Sequence, residues 1–400
     1  MSLMTQDGIV IVSGARPPVG GFQGSLSSLT APELGATAIR AAVERAGIAP
    51  EEISEVFMGC VLPAGLGQGP ARQAARKAGI PDGTGSTTIN KLCGSGMKAV
   101  MLAHDLIRAG TGTIMVAGGM ESMSNAPYIL NKARSGYRMG HEQLIDHMFF
   151  DGLEDAETGR VMGAFAQDVA DACNMTRKAM DAFAIESLSR ANTAITNGWF
   201  KDEIVPIAVK PRKGQKGGEI LVTDDEQPGN ANIEKIPRLR PVFKKDGTIT
   251  AANTSSLSDG ASALVLMAAS EAKRRGIEPL ARIVGHSTHS RHPSEFAIAP
   301  VDAIAKLLEK TGWTKDDVDL FEINEAFAMV TMLAMQQHGL DHSKVNIHGG
   351  ACALGHPIGS TGSRIILTLI HALKRTSGKK GIASLCIGGG EATAIALEMV

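Results

Sequence analysis

Residues 90–100, NKLCGSGMKAV, set a cysteine between a β-prone run and the start of an apolar helix. The run at 86–89 precedes it, and two glycines and a serine follow Cys93 directly. This order predicts a nucleophile on a sharp strand-to-helix turn, at the N-terminus of the helix. Unpaired N–H groups and the positive end of the helix dipole would favour a thiolate there, and the glycines would let a substrate approach the backbone. From this stretch alone, a buried structural cysteine is an equally good interpretation.

The composition is that of an ordinary globular protein. The 400 residues are 44% hydrophobic and 20% charged, which predicts two or three domains with sizeable cores. The formal net charge is −1 and the charges are scattered, so neither a nucleic-acid nor a membrane-surface footprint is expected. No apolar run reaches the roughly 18 residues of a membrane span, and the N-terminus lacks the regions of a signal peptide. We therefore expect a cytoplasmic protein.

The five cysteines show neither a disulfide nor a zinc pattern. They are an odd number without a CxxC pair: Cys60, Cys93, Cys173, Cys352 and Cys386. Free thiols are therefore expected, and their reactivity depends on local surroundings. Cys60 and Cys173 have no polar context in the sequence, and we expect Cys352 to pack in the core.

Strands and helices alternate along the first 120 or so residues. The predicted elements are a strand at 9–12, a helix from the capping box at Thr30 to about Ala46, a strand at 56–61, a helix at 72–79, a helix from Cys93 to Gly110, and a strand at 113–117 closed by Gly118 and Gly119. This alternation predicts an α/β architecture with largely buried sheets.

The character of the chain changes between residues 123 and 250. Gly, Pro and charged residues become frequent, and one long helix is predicted, with Thr176 as its N-cap and Gly198 just past its end. Residues 210–218 indicate an exposed hairpin or loop. We interpret 123–250 as an inserted, loop-rich domain that covers a ligand site. The remaining domains are predicted to be 1–122 together with about 251–278, and 279–400.

An internal repeat relates the two ends of the chain. GSGMKAVMLAHDLIRAGTGTIMVAGGMES and GSTGSRIILTLIHALKRTSGKKGIASLCIGGGEAT each contain a Gly/Ser turn, an apolar-periodic helix, a loop and a buried strand that ends in Gly-Gly-x-Glu. In this alignment Cys386 matches Val116. Two packed copies of one α/β unit would bring their strand ends together and form a ligand site at the junction. Chance similarity of Gly-bounded units is the alternative.

Two further residues could act on protons. His356 lies in the glycine-dense loop GGACALGHPIGSTG, where Pro357 favours an extended backbone, and histidine is suited to taking a proton near neutral pH. Cys386 ends an apolar strand before three glycines, and a thiol with an ordinary pKa of about 8.5 can both give and take a proton. A hydrogen-bonded structural histidine and a small core residue are the respective alternatives.

The segment FEINEAFAMV contains an amide and a carboxylate at the start of an apolar-periodic run. Asn324 would either cap this helix or position a water or a carbonyl oxygen. Glu325 would equally well be a first-turn residue that interacts with the helix dipole.

Together, five motifs resemble the thiolase family, close to its acetyl-CoA acetyltransferase branch. They occur in the expected order as NKLCGSGMKAV, GGMESMSNAPY, NEAFA, GGACALGHPIGSTGSR and CIGGGEATA, and the resemblance runs from Ile9 to the C-terminus. It implies two similar α/β halves in layered α-β-α-β-α packing, with a loop domain inserted in the first half. It also implies a reversible, ping-pong Claisen condensation of two acetyl-CoA to acetoacetyl-CoA and CoA.

The resemblance assigns the catalytic roles. Cys93 becomes the acyl-accepting nucleophile, His356 activates it, and Cys386 is the acid/base at the α-carbon of the second substrate. Asn324, through a water, would form one oxyanion site with His356. The N–H groups of Cys93 and Gly388 would form the other.

The same resemblance places coenzyme A thioesters as substrates, with no permanently bound cofactor. Ser255, Met162, Leu153 and Phe243 match positions that line the CoA and acyl channel. Val161, however, replaces a histidine of the acetoacetyl-CoA enzymes, and FAIAP at 296–300 replaces their Gly-containing run, so acyl-chain length stays open.

Residues 125–143 resemble the loop that joins dimers into homotetramers. No metal site is predicted, because His286, His289 and His292 lack an acidic partner in the same run.

Three other functions remain as alternatives. A 3-ketoacyl-CoA thiolase of broader chain length, as in fatty acid β-oxidation, would prefer C8 to C4 substrates. A cysteine hydrolase would use Cys93 and His356 to release acetate from acetyl-CoA. A non-enzymatic CoA-binding or scaffold protein would not depend on Cys93.

Overall fold

The computed structural model describes residues 7–210 and 218–400. Its strands are β1 (Ile9–Ala15), β2 (Gly20–Gly21), β3 (Glu55–Gly59), β4 (Gly85–Ile89), β5 (Ile114–Ser122), β6 (Tyr128–Ile129), β7 (Ile145–Asp146), β8 (Ile207–Val209), β9 (Ile220–Val222), β10 (Ser258–Ala268), β11 (Ala281–Ser290), β12 (Leu320–Ile323), β13 (Lys380–Ile387) and β14 (Glu391–Met399). Its α-helices are α1 (Ala31–Ala46), α2 (Pro70–Lys77), α3 (Ser95–Arg108), α4 (Met162–Ala172), α5 (Arg177–Thr196), α6 (Glu226–Asn230), α7 (Ala269–Arg275), α8 (Ala299–Thr311), α9 (Ala328–His338), α10 (Ala351–Leu354) and α11 (Thr361–Thr376).

The central sheet has two halves with the same strand order. In the first half the order is β1-β10-β5-β3-β4, with two antiparallel pairs followed by two parallel pairs. In the second half β11-β14-β13-β12 repeats this pattern, and Val345 bridges to Phe321 in the position of a fifth strand. β1 pairs with β11, so the halves form one continuous sheet. The predicted duplication of an α/β unit is confirmed.

Helices cover the sheet in layers because its strands are buried on both faces. Along β1, Ile9 and Ile11 join a core with α3 and α11, whereas Val10 and Val12 face a core that contains α1 and α2. α3 and α11 pack against each other, and their core includes side chains from the strands of both halves. α8 covers the outer face of β11 and β14. The result is the predicted α-β-α-β-α arrangement.

Glycines allow the two central helices to approach closely. A Cβ at Gly362 would lie 2.4 Å from Met97 N, and a Cβ at Gly94 would lie 2.3 Å from the Cδ1 of Ile387. A Cβ at Gly96 would lie 2.7 Å from the Oγ of Ser363. The glycines after Cys93 therefore serve packing between the halves, and our expectation that they make room for a substrate is wrong.

The two Gly-Gly-x-Glu runs of the repeat have different structures. β5 does not end at Gly118 and Gly119 but continues to Ser122, because Ser262 and its neighbours on β10 stay paired with it. β13 ends at Ile387, and residues 388–390 form the turn into β14. The predicted strand end at Gly118 and Gly119 is therefore wrong.

The strand register also corrects the sequence alignment of the repeat. Both halves contain a register shift, after Ile11 and after Ile283. Matching these shifts makes Ile11 correspond to Ile283. Ile11 pairs with Leu266, which pairs with Met115, and Ile283 pairs with Leu397, which pairs with Gly381. Met115 therefore corresponds to Gly381. Cys386 then corresponds to Met120 and not to Val116, because an alignment anchored on the two Gly-Gly-x-Glu runs cannot detect the different ends of the two strands.

The segment between β5 and β10 contains more helix than predicted. Thr176 caps α5 as expected, with its Oγ1 accepting a hydrogen bond from Ala179 N at 3.2 Å. α4 was missed, because its N-cap is Val161 and makes no side-chain cap. β8 and β9 pair antiparallel, while residues 211–217 of the predicted hairpin or loop lie outside the described residues. None of the helices described is long and apolar enough to span a membrane.

A buried ion cluster attaches this segment to the first half. Arg16, which follows β1, is 1% exposed. Its Nε lies 2.7 Å from Glu203, and its Nη1 and Nη2 lie 2.7 and 2.9 Å from Asp225. Both carboxylates come from the segment between β5 and β10. Because all three groups are desolvated, the two carboxylates depend on Arg16 for their charge-assisted hydrogen bonds.

We predict that Arg16→Ala lowers the free energy of unfolding by roughly 3–5 kcal/mol, because it leaves two buried carboxylates without a counter-ion. Urea denaturation measures the change. The control is Arg76→Ala, which breaks an exposed pair with Asp82 and should cost less than about 1 kcal/mol. Equal losses in the two variants would contradict the anchoring role of Arg16.

Candidate active site

A cavity of about 440 Å³ opens where the two halves and the inserted segment meet. Eight of the residues predicted for the site line it: Cys93, His356, Cys386, Gly388, Ser255, Met162, Leu153 and Phe243. Asn324 is buried but is not among the lining residues of this cavity. The structure thus brings together residues that are up to about 300 positions apart in the sequence.

Cys93 stands on a tight turn directly before α3. Leu92 has a left-handed backbone, with φ of +47°, which is strained for a leucine. The Oγ of Ser95 accepts a hydrogen bond from Lys91 N at 2.8 Å and donates to Leu92 O at 2.7 Å, so it closes the turn. The Oδ1 of Asn90 accepts from Leu92 N at 3.0 Å. The predicted strand-to-helix turn is confirmed, with β4 ending at Ile89.

Burial determines the state of the Cys93 thiol. Desolvation raises its pKa to about 11, although the N–H groups of Gly388 and of Cys93 itself act in the opposite direction. The expectation of a favoured thiolate at the helix N-terminus is therefore wrong: loss of water outweighs the helix end. Near pH 7 this sulfur is a thiol and needs a base to become a nucleophile.

His356 has a hydrogen-bonding pattern suited to such a base. Its Nδ1 lies 2.7 Å from the Oγ1 of Thr361, and this hydroxyl donates to Pro357 O at 3.1 Å. Because the single hydroxyl proton is used in that bond, Thr361 accepts from Nδ1–H, and the neutral ring carries its lone pair on Nε2. Nε2 is buried and has no hydrogen-bond partner among the described residues.

The ring of His356 is neutral near pH 7. Burial and, after it, the charge of Arg364 lower the pKa of His356 to about 3. A neutral imidazole with a free Nε2 at the wall of the cavity can take a proton from a thiol and hold it for a later step.

Cys386 is the second thiol of the cavity and, unlike the partly exposed Cys93, it is buried. It lies one residue before the end of β13, is 1% exposed, and is followed by the turn that contains Gly388. Burial raises the pKa of Cys386 well above its ordinary value, and a negative charge on nearby Cys93 raises it further. Contrary to our expectation of a pKa near neutrality, the resting group is a protonated thiol.

Asn324 and Glu325 do not belong to a helix. α9 begins at Ala328 with Phe327 as its N-cap, so both sequence-based interpretations as helix-end residues are wrong. The amide Nδ2 and Oδ1 of Asn324 are buried and have no hydrogen-bond partner in the part of the chain that is described. Glu325 bonds Ser187 at 2.7 Å and Asn346 at 2.8 Å, so it is structural.

The predicted channel residues lie on several different elements. Met162 is the first residue of α4, and Leu153 ends a π-helical turn at Met148–Leu153. Ser255 bonds Ala326 O through both its N–H and its Oγ, at 3.0 and 3.1 Å. The ring of Phe243 packs over Gly163, where a Cβ would come within 2.1 Å of it.

Sequence reasoning missed other residues of the cavity. Phe327 packs edge-on against Phe243 and Phe296, with ring centroids 6.2 and 6.1 Å apart, and all three rings line the wall. Val161 and Phe296, which the sequence analysis noted as departures from the family pattern, line the cavity as well, so Phe327 is the ring that was missed. Thr361 was missed as the partner of His356, and its only signal was its position in the Gly/Ser turn before α11.

Acidic groups distant in sequence also correct two minor expectations. Cys60 does have a polar neighbour, since its Sγ lies 3.7 Å from the Oε1 of Glu121. His286 contacts Asp105 at 3.0 Å, and Asp105 also bonds His104; the donor atoms of the three lie within 4.8 Å of one another. His289 lies 3.3 Å from Asp302.

Comparison with known proteins agrees with this architecture. The family model described as the thiolase N-terminal domain matches residues 9–270, and the thiolase C-terminal domain model matches residues 277–399. The acetyl-CoA acetyltransferase of Cupriavidus necator is 50% identical over 390 residues, which is 98% of this chain and 99% of that protein. That of Schizosaccharomyces pombe is 47% identical over 397 residues, covering 99% and 100% of the two chains.

Among solved structures, the Acat5 thiolase of Ascaris suum in complex with coenzyme A matches with a TM-score of 0.92. It is 38% identical in sequence, and the match covers 98% of this chain and all of that one. From the two family models, the full-length relatives and the shared fold, we conclude that this chain belongs to the thiolase family.

Proposed function

We propose that the protein is an acetyl-CoA C-acetyltransferase that condenses two acetyl-CoA to acetoacetyl-CoA and CoA, reversibly and with ping-pong kinetics. The observation that carries the proposal is that Cys93, His356 and Cys386 line one cavity, with Nε2 of His356 unpartnered among the described residues. The relatives named acetyl-CoA acetyltransferase support the same reaction. Coenzyme A thioesters are then the substrates.

In the first half-reaction, the neutral His356 removes the proton of the Cys93 thiol, and the thiolate attacks the carbonyl of acetyl-CoA. The bond between that carbonyl and the CoA sulfur breaks, which leaves acetyl-Cys93. Because Cys386 is a thiol in the resting state, it can give its proton to the departing CoA thiolate. CoA leaves protonated, and Cys386 becomes a thiolate.

In the second half-reaction, the Cys386 thiolate takes a proton from the methyl group of a second acetyl-CoA. The resulting carbanion attacks the carbonyl of acetyl-Cys93; a C–C bond forms and the bond to the Cys93 sulfur breaks. His356 returns its proton to that sulfur. All three groups are then in their starting states, and thiolysis is the same sequence reversed.

Two groups of hydrogen-bond donors would stabilise the negative oxygens of these steps. The N–H groups of Cys93 and Gly388 reach the sulfur of Cys93, so they lie beside the carbonyl of a bound acyl group. Asn324, whose amide atoms have no partner among the described residues, would act with His356 through a water at the second site. In such sites, each donor contributes about 3–4 kcal/mol to the transition state.

We predict that Cys93→Ser abolishes acetylation of the protein by labelled acetyl-CoA. Cys386→Ser should still be acetylated but should form no acetoacetyl-CoA, because the group that removes the methyl proton is lost. Quenched incubations followed by mass spectrometry of the labelled peptide measure both outcomes.

Cys173→Ser is the matched control, since this thiol ends α4 and does not line the cavity. Equal acetylation of the Cys93 and Cys386 variants would contradict the assigned roles. Rapid turnover of acetyl-CoA to acetate by the wild-type protein would indicate a hydrolase instead.

We further propose that residues 123–250 form a domain that binds CoA over the cavity, between an N-terminal half at 1–122 with about 251–278 and a C-terminal half at 279–400. Met162, Leu153 and Phe243 of this segment and Ser255 just after it line the cavity. These residues would contact the pantetheine and acyl parts of the substrate.

The wall of the cavity favours a short acyl group. The rings of Phe243, Phe296 and Phe327 pack together there, and Phe296 is 3% exposed. The space that a long acyl chain requires is filled by rings that cannot shorten.

We predict faster thiolysis of C4 than of C8 3-ketoacyl-CoA. Phe296→Ala should raise the C8 to C4 ratio of kcat/KM by about tenfold or more, because it opens the acyl end of the cavity. Phe150→Ala, whose exposed ring does not line the cavity, should leave the ratio unchanged. A wild-type preference for C8 would make the protein a 3-ketoacyl-CoA thiolase of broader chain length.

We also propose a homotetramer in which residues 125–143 join two dimers. This segment exposes large apolar side chains that favour contact with another protein surface; Met139 is 99% exposed and Tyr128 is 64% exposed.

We predict that the double variant Met139→Asp, Tyr128→Asp forms dimers, because charges would replace the apolar contact. Light scattering gives the mass of each assembly, and acetylation of Cys93 reports that the active site is intact. A wild-type protein that is already a dimer or a monomer would contradict the proposal.

A further inference from the structure

Glu121 is a buried carboxylate that the reaction described above does not use. It lies on β5 and is 0% exposed. Its oxygens accept hydrogen bonds from Val61 N at 2.9 Å and from Leu62 N at 3.1 Å, and the backbone of Gly359 lies against Oε2, where its N–H favours the charged form. No Lys, Arg or His of the described residues forms an ion pair with it. Such a group is costly to bury, and its neighbours are backbone N–H groups and the thiol of Cys60, which lies 3.7 Å from Oε1.

These bonds join the two halves of the fold. Val61 and Leu62 follow β3 of the first half. Gly359 belongs to the second half, three positions after His356, in the loop that leads into α11. Glu121 is therefore attached at once to the strand ends of one half and to the loop that carries the proposed base.

Glycines on both sides form a slot that receives this loop. A Cβ at Gly119 would lie 1.9 Å from the carbonyl oxygen of Gly359, and a Cβ at Gly59 would lie 2.6 Å from the same atom. A Cβ at Gly359 would lie 2.7 Å from the Oε2 of Glu121. The loop can reach the carboxylate only because these three residues have no side chain.

We propose that Glu121 is a positioning residue, which fixes the loop of His356 in the glycine slot and thereby places Nε2 of His356 for the transfer of the Cys93 proton. This inference rests on the proposed acyl transfer to Cys93. The ring of His356 is itself held through Thr361, the first residue of α11, whose hydroxyl also bonds Pro357 O in this loop, so a displaced loop would displace the ring with it.

The charge of Glu121 makes the arrangement sensitive to pH. Burial raises the pKa of Glu121 to about 7 in spite of the N–H groups around it. Opening of the loop would let water reach the carboxylate and would lower its pKa towards the ordinary value, so ionisation of Glu121 above pH 7 favours opening and the protonated form below pH 7 holds the loop better. The titratable groups that face it are the thiols of Cys60, at 3.7 Å, and Cys93, whose pKa its charge raises.

The test uses Glu121→Gln and Glu121→Asp in the full-length protein. In both variants the rate of Cys93 acetylation by acetyl-CoA should fall by about 100-fold, the order expected for a catalytic group displaced by about 1 Å. The two variants separate position from charge. The rate of Cys93 alkylation by iodoacetamide, measured against pH, gives an apparent pKa of the thiol. This pKa should fall in Glu121→Gln, which removes a negative neighbour, and should not change in Glu121→Asp.

Cys60→Ala is the matched control, because it removes the thiol beside Glu121 and leaves its backbone bonds. Its acetylation rate should stay within about twofold of wild type. If the wild-type protein is not acetylated, the proposed function fails. If the wild type is acetylated and both Glu121 variants are acetylated at the same rate, the positioning role fails and the proposed function stands.

If the Glu121 variants do not fold, a measurement on the wild-type protein still tests the inference. Hydrogen exchange of the peptide that contains residues 356–361, corrected for the intrinsic pH effect, should be faster at pH 8 than at pH 6. Equal protection at the two pH values would overturn the inference.

Discussion

Contact between α3 and α11 is the constraint on which the rest of the molecule depends. Each helix belongs to one half of the fold, and glycines at their start allow the backbones to meet. Cys93 precedes one of these helices and His356 precedes the other, so the approach of the helices also brings the two side chains to one cavity. A larger residue at Gly362 or Gly94 would separate the halves and the site together.

The second general property is that burial, more than any nearby charge, determines the protonation of the site. It raises the pKa of Cys93 to about 11 and lowers that of His356 to about 3. Every reacting group is thus neutral before substrate enters. In the proposed reaction, charge on these groups therefore appears only after a proton has moved, and backbone N–H groups lie beside the Cys93 sulfur where negative charge would develop.

Much of this arrangement could be predicted from the sequence, since Cys93, His356 and Cys386 each lie in a glycine-rich run at the edge of an apolar element. The helix of the repeat and the capped α5 could be read from local periodicity and cap residues. The low pKa expected for Cys93 was wrong, because sequence shows a helix start but not the loss of water around it.

Other features were missed because they depend on contacts between distant residues. α4 has no side-chain cap, so only its packing in the folded chain stabilises it. Glu121 was visible as part of a repeated motif, but its partner Gly359 is in the other half. β13 ends before its Gly-Gly-x-Glu motif because three glycines there form a turn, whereas β5 continues through the corresponding motif. The two motifs are therefore similar in sequence but different in structure.

The matching register shifts after Ile11 and Ile283 have a historical meaning. The same irregularity at the same position in both halves of the sheet is expected if a single ancestral unit was duplicated. In a pair of identical units the loops before α3 and α11 would have been the same, and so would the strand ends that face them. In the proposed function the two copies differ in role, since Cys93 of one copy holds the acyl group and His356 and Cys386 of the other handle the protons.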